Sequence, residues 1–320
     1  MKYFETHFDE YIIESLNHNL HPKLEILFDK FPKKINQLSN LIFYGPSGVG
    51  KYTQMLKSIR KYSNSGLKYE KKISILYNKQ QHFFKISDIH YEIDMSLLGC
   101  NSKLLWHDIY QQIIDILSTK PDKVGIIICK NFHDIQNELL ENFYSYMQQN
   151  LGLSVDIKFI IITNEISFIP DNIINCCEVI NVQRPSKTNY INCFNNKKIK
   201  GLKIEMIDNN KLLKQNEVQI VQFHKIIVDK IVKNILNFED INFLKLRDML
   251  YDIFIYNLDI TICIWYIISS LVKQKNIKNE QMTDIMIHTY RFFQYYNNNY
   301  RPIFHLENYL FYLISKIHSI

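Results

Sequence analysis

Short apolar runs alternate with helical patterns over the first 184 residues of the chain. The helical patterns, in which apolar residues recur at steps of three and four, lie at 52–62, 103–118 and 137–149. The apolar runs have the length of buried strands and lie at 41–44, 89–93, 125–129, 157–163 and 178–182. Strands that alternate with helices in this way predict an α/β unit with a mainly parallel sheet.

From residue 221 onward, only helical spacing is visible. In the last segment, one face of a helix is formed by apolar residues at alternating steps of three and four: Ile303, Leu306, Leu310, Leu313 and Ile317. Such a face suits either an intramolecular core or an oligomer interface. The polar segment 185–220, rich in Lys and Asn, predicts a short connector or reduced lid. We therefore predict an α/β domain at 1–184, a connector at 185–220 and an all-helical domain at 221–320.

The composition limits the classes of protein to which the chain can belong. With 320 residues, of which 47% are hydrophobic, the chain can bury a full core. Its 38 Lys and Arg against 32 Asp and Glu give a small positive surplus, which is compatible with phosphate partners but does not demonstrate them. The six cysteines include no C-x-x-C pair, so we expect a reducing intracellular compartment and no zinc site. The longest apolar run, 260–272, is shorter than the about 20 residues that span a bilayer and predicts a buried helix.

One segment carries strong chemical information. It follows a predicted strand, precedes a predicted helix, and matches a Walker A phosphate loop at all but one position: Gly45-Pro46-Ser47-Gly48-Val49-Gly50-Lys51-Tyr52-Thr53. The glycines let successive backbone N–H groups point at phosphate oxygens, and the lysine reaches the β and γ phosphates. These nine residues predict a site for ATP or ADP.

The exception within this loop is Tyr52. In a Walker A loop this position is Ser or Thr, whose hydroxyl binds Mg²⁺, and a phenol oxygen lies too far from the backbone to replace it. Thr53 is a poor substitute because one step along a helix turns the side chain by about 100°. Phosphate binding is therefore predicted, whereas Mg²⁺ binding is not.

The residues that hydrolyse ATP are expected where a later strand ends. A P-loop ATPase carries a Mg²⁺-binding Asp there, and AAA+ proteins add a Glu that orients water. Here strand 125–129 is followed by Lys130, which cannot ligate a cation, and by Asn131, which can hold a water but cannot accept its proton. We therefore predict no catalytic residue and no intrinsic ATPase activity. Asn164, which follows strand 157–163, is predicted to face the γ phosphate.

Together these motifs resemble the small subunits of replication factor C, the AAA+ sliding-clamp loader. The likeness is greatest to the subunit type whose loop reads G-P-S-G-x-G-K-K-T and whose Walker B acids are incomplete. It extends through 159–164, where Asn164 resembles the sensor 1 residue, through 182–186, and to 303–307 near the end of the chain. The resemblance implies a AAA+ module, a lid that is shortened here, and a helical collar at 221–320 that joins subunits. It also implies ATP or ADP as ligand, with other loader subunits, a sliding clamp and primed DNA as partners.

Some residues depart from the family pattern. Asn175-Cys176-Cys177 stands where the family has Ser-Arg-Cys, so the arginine finger toward a neighbouring subunit is absent. Tyr144 and Ser145 replace a basic pair, so direct DNA contact through that helix is not expected. Lys103 and the lysines within 197–203 remain candidates for contact with DNA phosphates. The apolar residues of 106–117 suit a clamp contact about as well as core packing.

The resemblance implies a hydrolysis-deficient subunit that helps to load a sliding clamp onto primed DNA during replication, in the nucleus or at another site of DNA replication. Two alternatives remain open. The chain is a nucleotide-free AAA+ scaffold if the loop is a relic filled by side chains or water. It is a P-loop kinase if a lid with arginines and a Mg²⁺ ligand are present, and neither is visible in the sequence.

Overall fold

A computed structural model of the chain describes residues 7–77, 79–99, 101–148, 155–193, 210, 223–237, 243–256, 258–296 and 301–318. The chain divides into two compact units, residues 1–218 and 219–320. Most of the connector predicted at 185–220 lies outside the described residues, as do the lysines within 197–203. The prediction that the lid is shortened therefore stays a prediction.

The first unit is built on a seven-stranded sheet in the order β2-β3-β4-β5-β6-β1-β7. The strands are β1 (Asn40–Tyr44), β2 (Lys71–Tyr77), β3 (Gln80–Ile86), β4 (His90–Asp94), β5 (Val124–Lys130), β6 (Asp156–Thr163) and β7 (Cys177–Asn181). The five strands β4, β5, β6, β1 and β7 are parallel to one another. They are the five strands that the apolar runs predict, so the expected mainly parallel sheet is confirmed.

Two further strands, β2 and β3, form an antiparallel hairpin at the edge of the sheet. The apolar runs do not predict them. Only two residue pairs, Lys85 with Glu92 and Ile86 with Tyr91, join β3 to β4. The side chains of β2 alternate between exposed and half-buried, so this strand forms no apolar run that would have revealed it.

Helices cover both faces of the sheet. They are α1 (Phe8–Asn17), α2 (Pro22–Asp29), α3 (Lys51–Ile59), α4 (Ser102–Ser118), α5 (Asn137–Gln148), α6 (Asp171–Asn175) and α7 (Lys187–Cys193). Successive residues of the central strands contribute to two different cores, as the period of two in a strand requires. Ile127 and Phe159 pack in the core that holds α4 and α5, whereas Ile128 and Ile160 pack in the core that holds α1, α2 and α3.

The apolar residues of α4 belong to the first of these cores. Trp106, Tyr110, Ile113 and Leu117 are fully buried. Core packing thus accounts for the pattern at 106–117, and the alternative that these residues meet a clamp is wrong for this face. Lys103 lies at the exposed start of the same helix.

The second unit is helical throughout its described residues. Its helices are α8 (Phe223–Leu236), α9 (Phe243–Ile255), α10 (Ile260–Lys273), α11 (Asn279–Tyr296) and α12 (Pro302–His318). On α12, Leu306, Leu310 and Leu313 are fully buried in a core shared with α8, α9 and α10, so the apolar face is intramolecular core. The run at 260–272 does form a helix, but it is only partly buried, because Ile262 and Trp265 are exposed.

The sequence also leads to expectations about membrane-spanning helices and about the cysteines. Within the described ranges, no helix combines the length and apolarity that crossing a bilayer requires. The cysteines that the structure describes, Cys129, Cys176, Cys177, Cys193 and Cys263, are all free.

Candidate nucleotide-binding site

The predicted phosphate loop lies between β1 and α3. Gly48 and Gly50 have φ angles of 73° and 99°, in the left-handed region that favours glycine. Gly45 is required for another reason: a Cβ atom there would lie 2.1 Å from the carbonyl oxygen of Val182. The three glycines therefore let the backbone curl tightly from the end of β1 into the first turn of α3.

The carbonyl groups of this loop contact other parts of the chain, whereas its N–H groups point to a different role. The carbonyl oxygen of Gly48 accepts a 3.0 Å hydrogen bond from the backbone N–H of Asn210, and that of Val49 lies 2.8 Å from His21 Nε2. Within the described part of the chain, no hydrogen bond uses the backbone N–H groups of residues 47–50. These donors stand at the N-terminus of α3, where unpaired N–H groups and the helix dipole favour an anion. The loop thus fits phosphate.

Lys51 begins α3 and turns its side chain back over the loop. Its ammonium nitrogen donates hydrogen bonds to the carbonyl oxygens of Gly45 and Pro46, at 2.6 Å and 2.8 Å, and to Asn164 Oδ1 at 2.8 Å. Burial lowers the pKa of Lys51 to about 8, because the charged form loses hydration. A phosphate that binds here would exchange one or more of these neutral acceptors for an anionic one.

Asn164 follows β6 and connects Lys51 to a residue that no sequence motif indicates. Its side-chain nitrogen lies 2.9 Å from His133 Nε2. His133 belongs to a 3₁₀ turn, Phe132–Asp134, that follows β5. The parallel order of β5, β6 and β1 brings these three residues to the same end of the sheet. The structure therefore places Asn164 beside the loop lysine, and its contact with a nucleotide stays a prediction.

The Tyr52 side chain enters a buried polar cluster. Its hydroxyl donates a 2.6 Å hydrogen bond to Glu92 Oε1 on β4. The same carboxylate oxygen lies 3.3 Å from His90 Nε2, and Oε2 lies 3.5 Å from the ammonium nitrogen of Lys130. Lys130 also lies over the Tyr52 ring, 5.4 Å from its centroid. We call these four residues, Tyr52, His90, Glu92 and Lys130, the tyrosine–glutamate cluster.

Charge is distributed unevenly within this cluster. Burial acts to raise the pKa of Glu92, but the hydrogen bond from His90 and the charge of Lys130 outweigh it and hold this pKa below its ordinary value. Burial, together with the neighbouring carboxylate, raises the pKa of Tyr52. Glu92 is therefore the anion of the cluster and Lys130 its cation, while the phenol stays protonated. No local motif indicates Glu92 or His90, which lie inside a strand-like segment.

The residues beside the loop do not fit a Mg²⁺ ion. The Tyr52 oxygen is engaged by Glu92, and an ammonium group stands where β5 ends. Next along the chain, Asn131 donates its amide to both oxygens of Asp94, at 3.0 Å and 3.1 Å. In the part of the chain that the structure describes, no group of three or more His, Cys, Asp or Glu could hold a metal ion.

The remaining predicted loop residues have different surroundings. Pro46 and Ser47 are exposed, and Thr53 is half-buried. The side chain of Val49 is buried in the core beneath α3, so only its backbone faces the loop. The loop is also contacted by His21, from the start of α2, and by Asn210, whose Oδ1 accepts a hydrogen bond from the Tyr190 hydroxyl. Both contacts join distant parts of the sequence, and no local pattern indicates them.

The parallel strand order β4-β5-β6-β1-β7, with a phosphate loop after β1, defines a P-loop α/β fold, and an all-helical unit follows it along the chain. Among solved structures, the chain is similar to Caenorhabditis elegans PCH-2, with a TM-score of 0.34, 11% identity, and coverage of 65% of this chain and 62% of that chain. It is also similar to two structures of Thermotoga maritima RuvB. One of them, a point variant, gives a TM-score of 0.36 and 12% identity, covering 80% of this chain and 73% of that one.

The second RuvB structure, described as a Holliday junction branch migration motor, gives a TM-score of 0.34 and 14% identity, with coverage of 80% and 73%. The chain spans less than two thirds of the PCH-2 chain that it matches. No family model and no curated protein matches the chain.

Proposed function

We propose that this chain is a hydrolysis-deficient AAA+ subunit of a replication factor C type clamp loader, which holds ATP or ADP at residues 45–53 and leaves hydrolysis to other subunits. One observation supports the deficiency above all others. At the end of β5, which is the end of the sheet that carries the phosphate loop, stands the ammonium group of Lys130, 3.5 Å from Glu92. Hydrolysis by the usual AAA+ route needs carboxylates at this point, for the metal and for the attacking water.

Retention of a nucleotide is supported by the loop itself. Its backbone N–H groups at 47–50, which donate no hydrogen bond within the described residues, and the ammonium of Lys51 are the groups that bind phosphates in P-loop proteins. Nothing in this binding step requires the missing acids. The role of such a subunit is architectural: a bound nucleotide would stabilise the fold of one ring position, since any ligand that binds only the folded chain stabilises it.

The assignment to a clamp loader is supported by the resemblance of 45–53, 159–164, 182–186 and 303–307 to replication factor C small subunits. In this proposal the helical domain, residues 221–320, joins the neighbouring subunits. A sliding clamp and primed DNA are then partners of the assembled ring. Because Cys176 stands at the finger position, the chain does not stimulate hydrolysis in its neighbour.

Native mass spectrometry of the tagged chain, purified at low salt from its natural source, tests this assignment. We expect a five-chain assembly with other Walker-bearing subunits. A monomer or a homo-oligomer would contradict the clamp-loader proposal. Purification at high salt is the control for chains that adhere through charge alone, because exposed ion pairs are screened by salt.

A second candidate is a nucleotide-free scaffold, and one specific observation favours it. The Lys51 ammonium already has three acceptors, so this group is satisfied without a ligand. Equilibrium binding of a labelled ATP analogue separates the two candidates. Affinity that Lys51→Ala abolishes supports nucleotide retention, whereas no affinity in either protein supports the scaffold. Steady ATP turnover that Lys51→Ala abolishes would instead favour a P-loop kinase.

A further inference from the structure

Lys130 stands at an unusual place for a lysine. It is the last residue of β5, and its ammonium nitrogen lies 5.4 Å from the centroid of the Tyr52 ring. Tyr52 directly follows the loop lysine, so two ammonium groups, those of Lys51 and Lys130, belong to the same end of the sheet. In a P-loop ATPase this region holds one lysine and one divalent cation.

Among the described residues, the ammonium of Lys130 has N–H donors that are not used in a hydrogen bond. An ammonium carries three N–H donors. Among the described residues, the polar contact of this group is one ion pair with Glu92 Oε2 at 3.5 Å, which is longer than a hydrogen bond. The lysine side chain is 29% exposed, whereas that of Glu92 is 1% exposed. The group can therefore keep its ion pair on the buried side while it donates to an anion on the open side.

A divalent cation has no corresponding place. Glu92 is the buried carboxylate of the cluster, and its charge is already balanced by Lys130. Its other oxygen accepts from the Tyr52 hydroxyl. A divalent cation placed where β5 ends would meet the positive charge of the Lys130 ammonium, and such repulsion is strong near a partly buried site. The charge that usually comes from a metal is supplied here by the chain.

We propose that this site binds nucleoside di- or triphosphates as their metal-free anions, with the ammonium group of Lys130 in place of the divalent cation. This inference rests on the proposed retention of nucleotide at the loop. It adds that the nucleotide binds without a metal ion and that Lys130 neutralises part of the phosphate charge. Lys130 is a binding residue in this scheme, and no covalent step is involved.

The test is equilibrium binding of a fluorescent N-methylanthraniloyl derivative of ADP to the full chain, followed by anisotropy in excess EDTA and in Mg²⁺. We expect dissociation constants in the two buffers that agree within about twofold. Lys130→Met should weaken binding in EDTA about tenfold, through the loss of one charge-assisted hydrogen bond. Lys130→Arg, which keeps the charge, should bind like the unmodified chain.

Two controls keep this test decisive. Lys68→Met removes an exposed lysine elsewhere on the same unit and should leave the affinity unchanged. Lys130→Met also leaves Glu92 without its cation, so the single variant can lose stability. The double variant Lys130→Met with Glu92→Gln removes both charges together, and its affinity should fall by the same factor. Urea unfolding of each variant verifies that it is folded.

The possible failures are distinguishable. Binding that requires Mg²⁺, or binding in EDTA that the folded double variant retains in full, overturns this inference and leaves the nucleotide-holding function intact. Binding in neither buffer overturns nucleotide retention, and this inference with it. A gain-of-function variant adds a positive check: Tyr52→Thr with Lys130→Asp should make binding Mg²⁺-dependent, because both usual ligands are then present.

Discussion

The Tyr52 hydroxyl and Glu92 Oε1 are joined by a 2.6 Å hydrogen bond that links the start of α3 to β4. Because Tyr52 directly follows Lys51, the bond fixes the first turn of α3 against the sheet. It also engages the hydroxyl at the usual metal-ligand position with a carboxylate of the chain. A single substitution in the Walker motif thus has a structural partner in a strand about 40 residues away in the chain.

Removal of this hydroxyl should destabilise the first unit. In Tyr52→Phe the ring contacts remain, but Glu92 loses a donor while it stays buried, which costs about 1–3 kcal/mol of unfolding free energy. Urea unfolding measures the change. Tyr69→Phe is the matched control, because Tyr69 is 70% exposed and its substitution should change the unfolding midpoint little. Equal midpoints for the two variants would contradict the role given to this hydrogen bond.

The stability of the unit should depend on pH through Glu92. Its pKa is lowered in the folded chain below the ordinary value of 4.5, so the folded state holds the proton less tightly than the unfolded state does. The stabilisation is complete above the ordinary value and is lost as pH falls through the lowered one. Unfolding free energies measured from about pH 7 down to about pH 3 should therefore decline less steeply in Glu92→Gln. Parallel curves would refute this assignment.

Nucleotide affinity should fall in mildly alkaline solution. Burial lowers the pKa of Lys51 to about 8, so the ammonium that meets the phosphates deprotonates as pH rises through that value. Between about pH 7.5 and about pH 9, the charged fraction and hence the affinity should fall about eightfold. Lys51→Arg keeps its charge over this range and should bind with little pH dependence. Anisotropy titrations at several pH values measure both, and a flat curve for the unmodified chain would contradict the lowered pKa.

Gly45 should tolerate no side chain. In Gly45→Ala the new methyl carbon would lie 2.1 Å from the carbonyl oxygen of Val182, and backbone must move to relieve the contact. We expect a loss of more than about 2 kcal/mol of unfolding free energy. Gly99→Ala is the matched control: Gly99 also has positive φ, but nothing lies within 4 Å of the added carbon. Its cost should be limited to about 1 kcal/mol of backbone strain. Similar losses for both variants would show that the contact with Val182 is unimportant.

Much of the fold follows from local patterns. The ends of the five parallel strands and of helices α3, α4 and α5 lie close to those that the patterns predict, because each is a contiguous segment buried on one or both faces. The hairpin β2–β3 is missed for the opposite reason. The residues of its first strand are exposed or half-buried, and the first two of them, Lys71 and Lys72, are charged. A strand that is stabilised mainly by pairing with the neighbouring strand does not need an apolar run, so a hydropathy pattern does not reveal it.

The sequence indicates those residues of the candidate site that belong to a short motif, including Asn164 after β6. The loop from Gly45 to Lys51 and the lysine at the end of β5 are visible as short motifs. Glu92 could not be assigned, since nothing in the sequence says that a carboxylate in β4 meets a tyrosine in α3. The same is true of His21 and His133, which reach the loop region through the order of the strands and the path of the chain around them.

The edge hairpin also bears on how chains that associate through their sheets would behave in a nucleotide-binding assay. β2 is the outermost strand, and β3, β4, β5 and β6 separate it from β1, which leads into the phosphate loop. An exposed edge strand is where sheets of different molecules join. Chains that associate through β2 would therefore leave the loop unaltered. Full nucleotide affinity in a preparation is consequently no proof of monodispersity, which light scattering must establish separately.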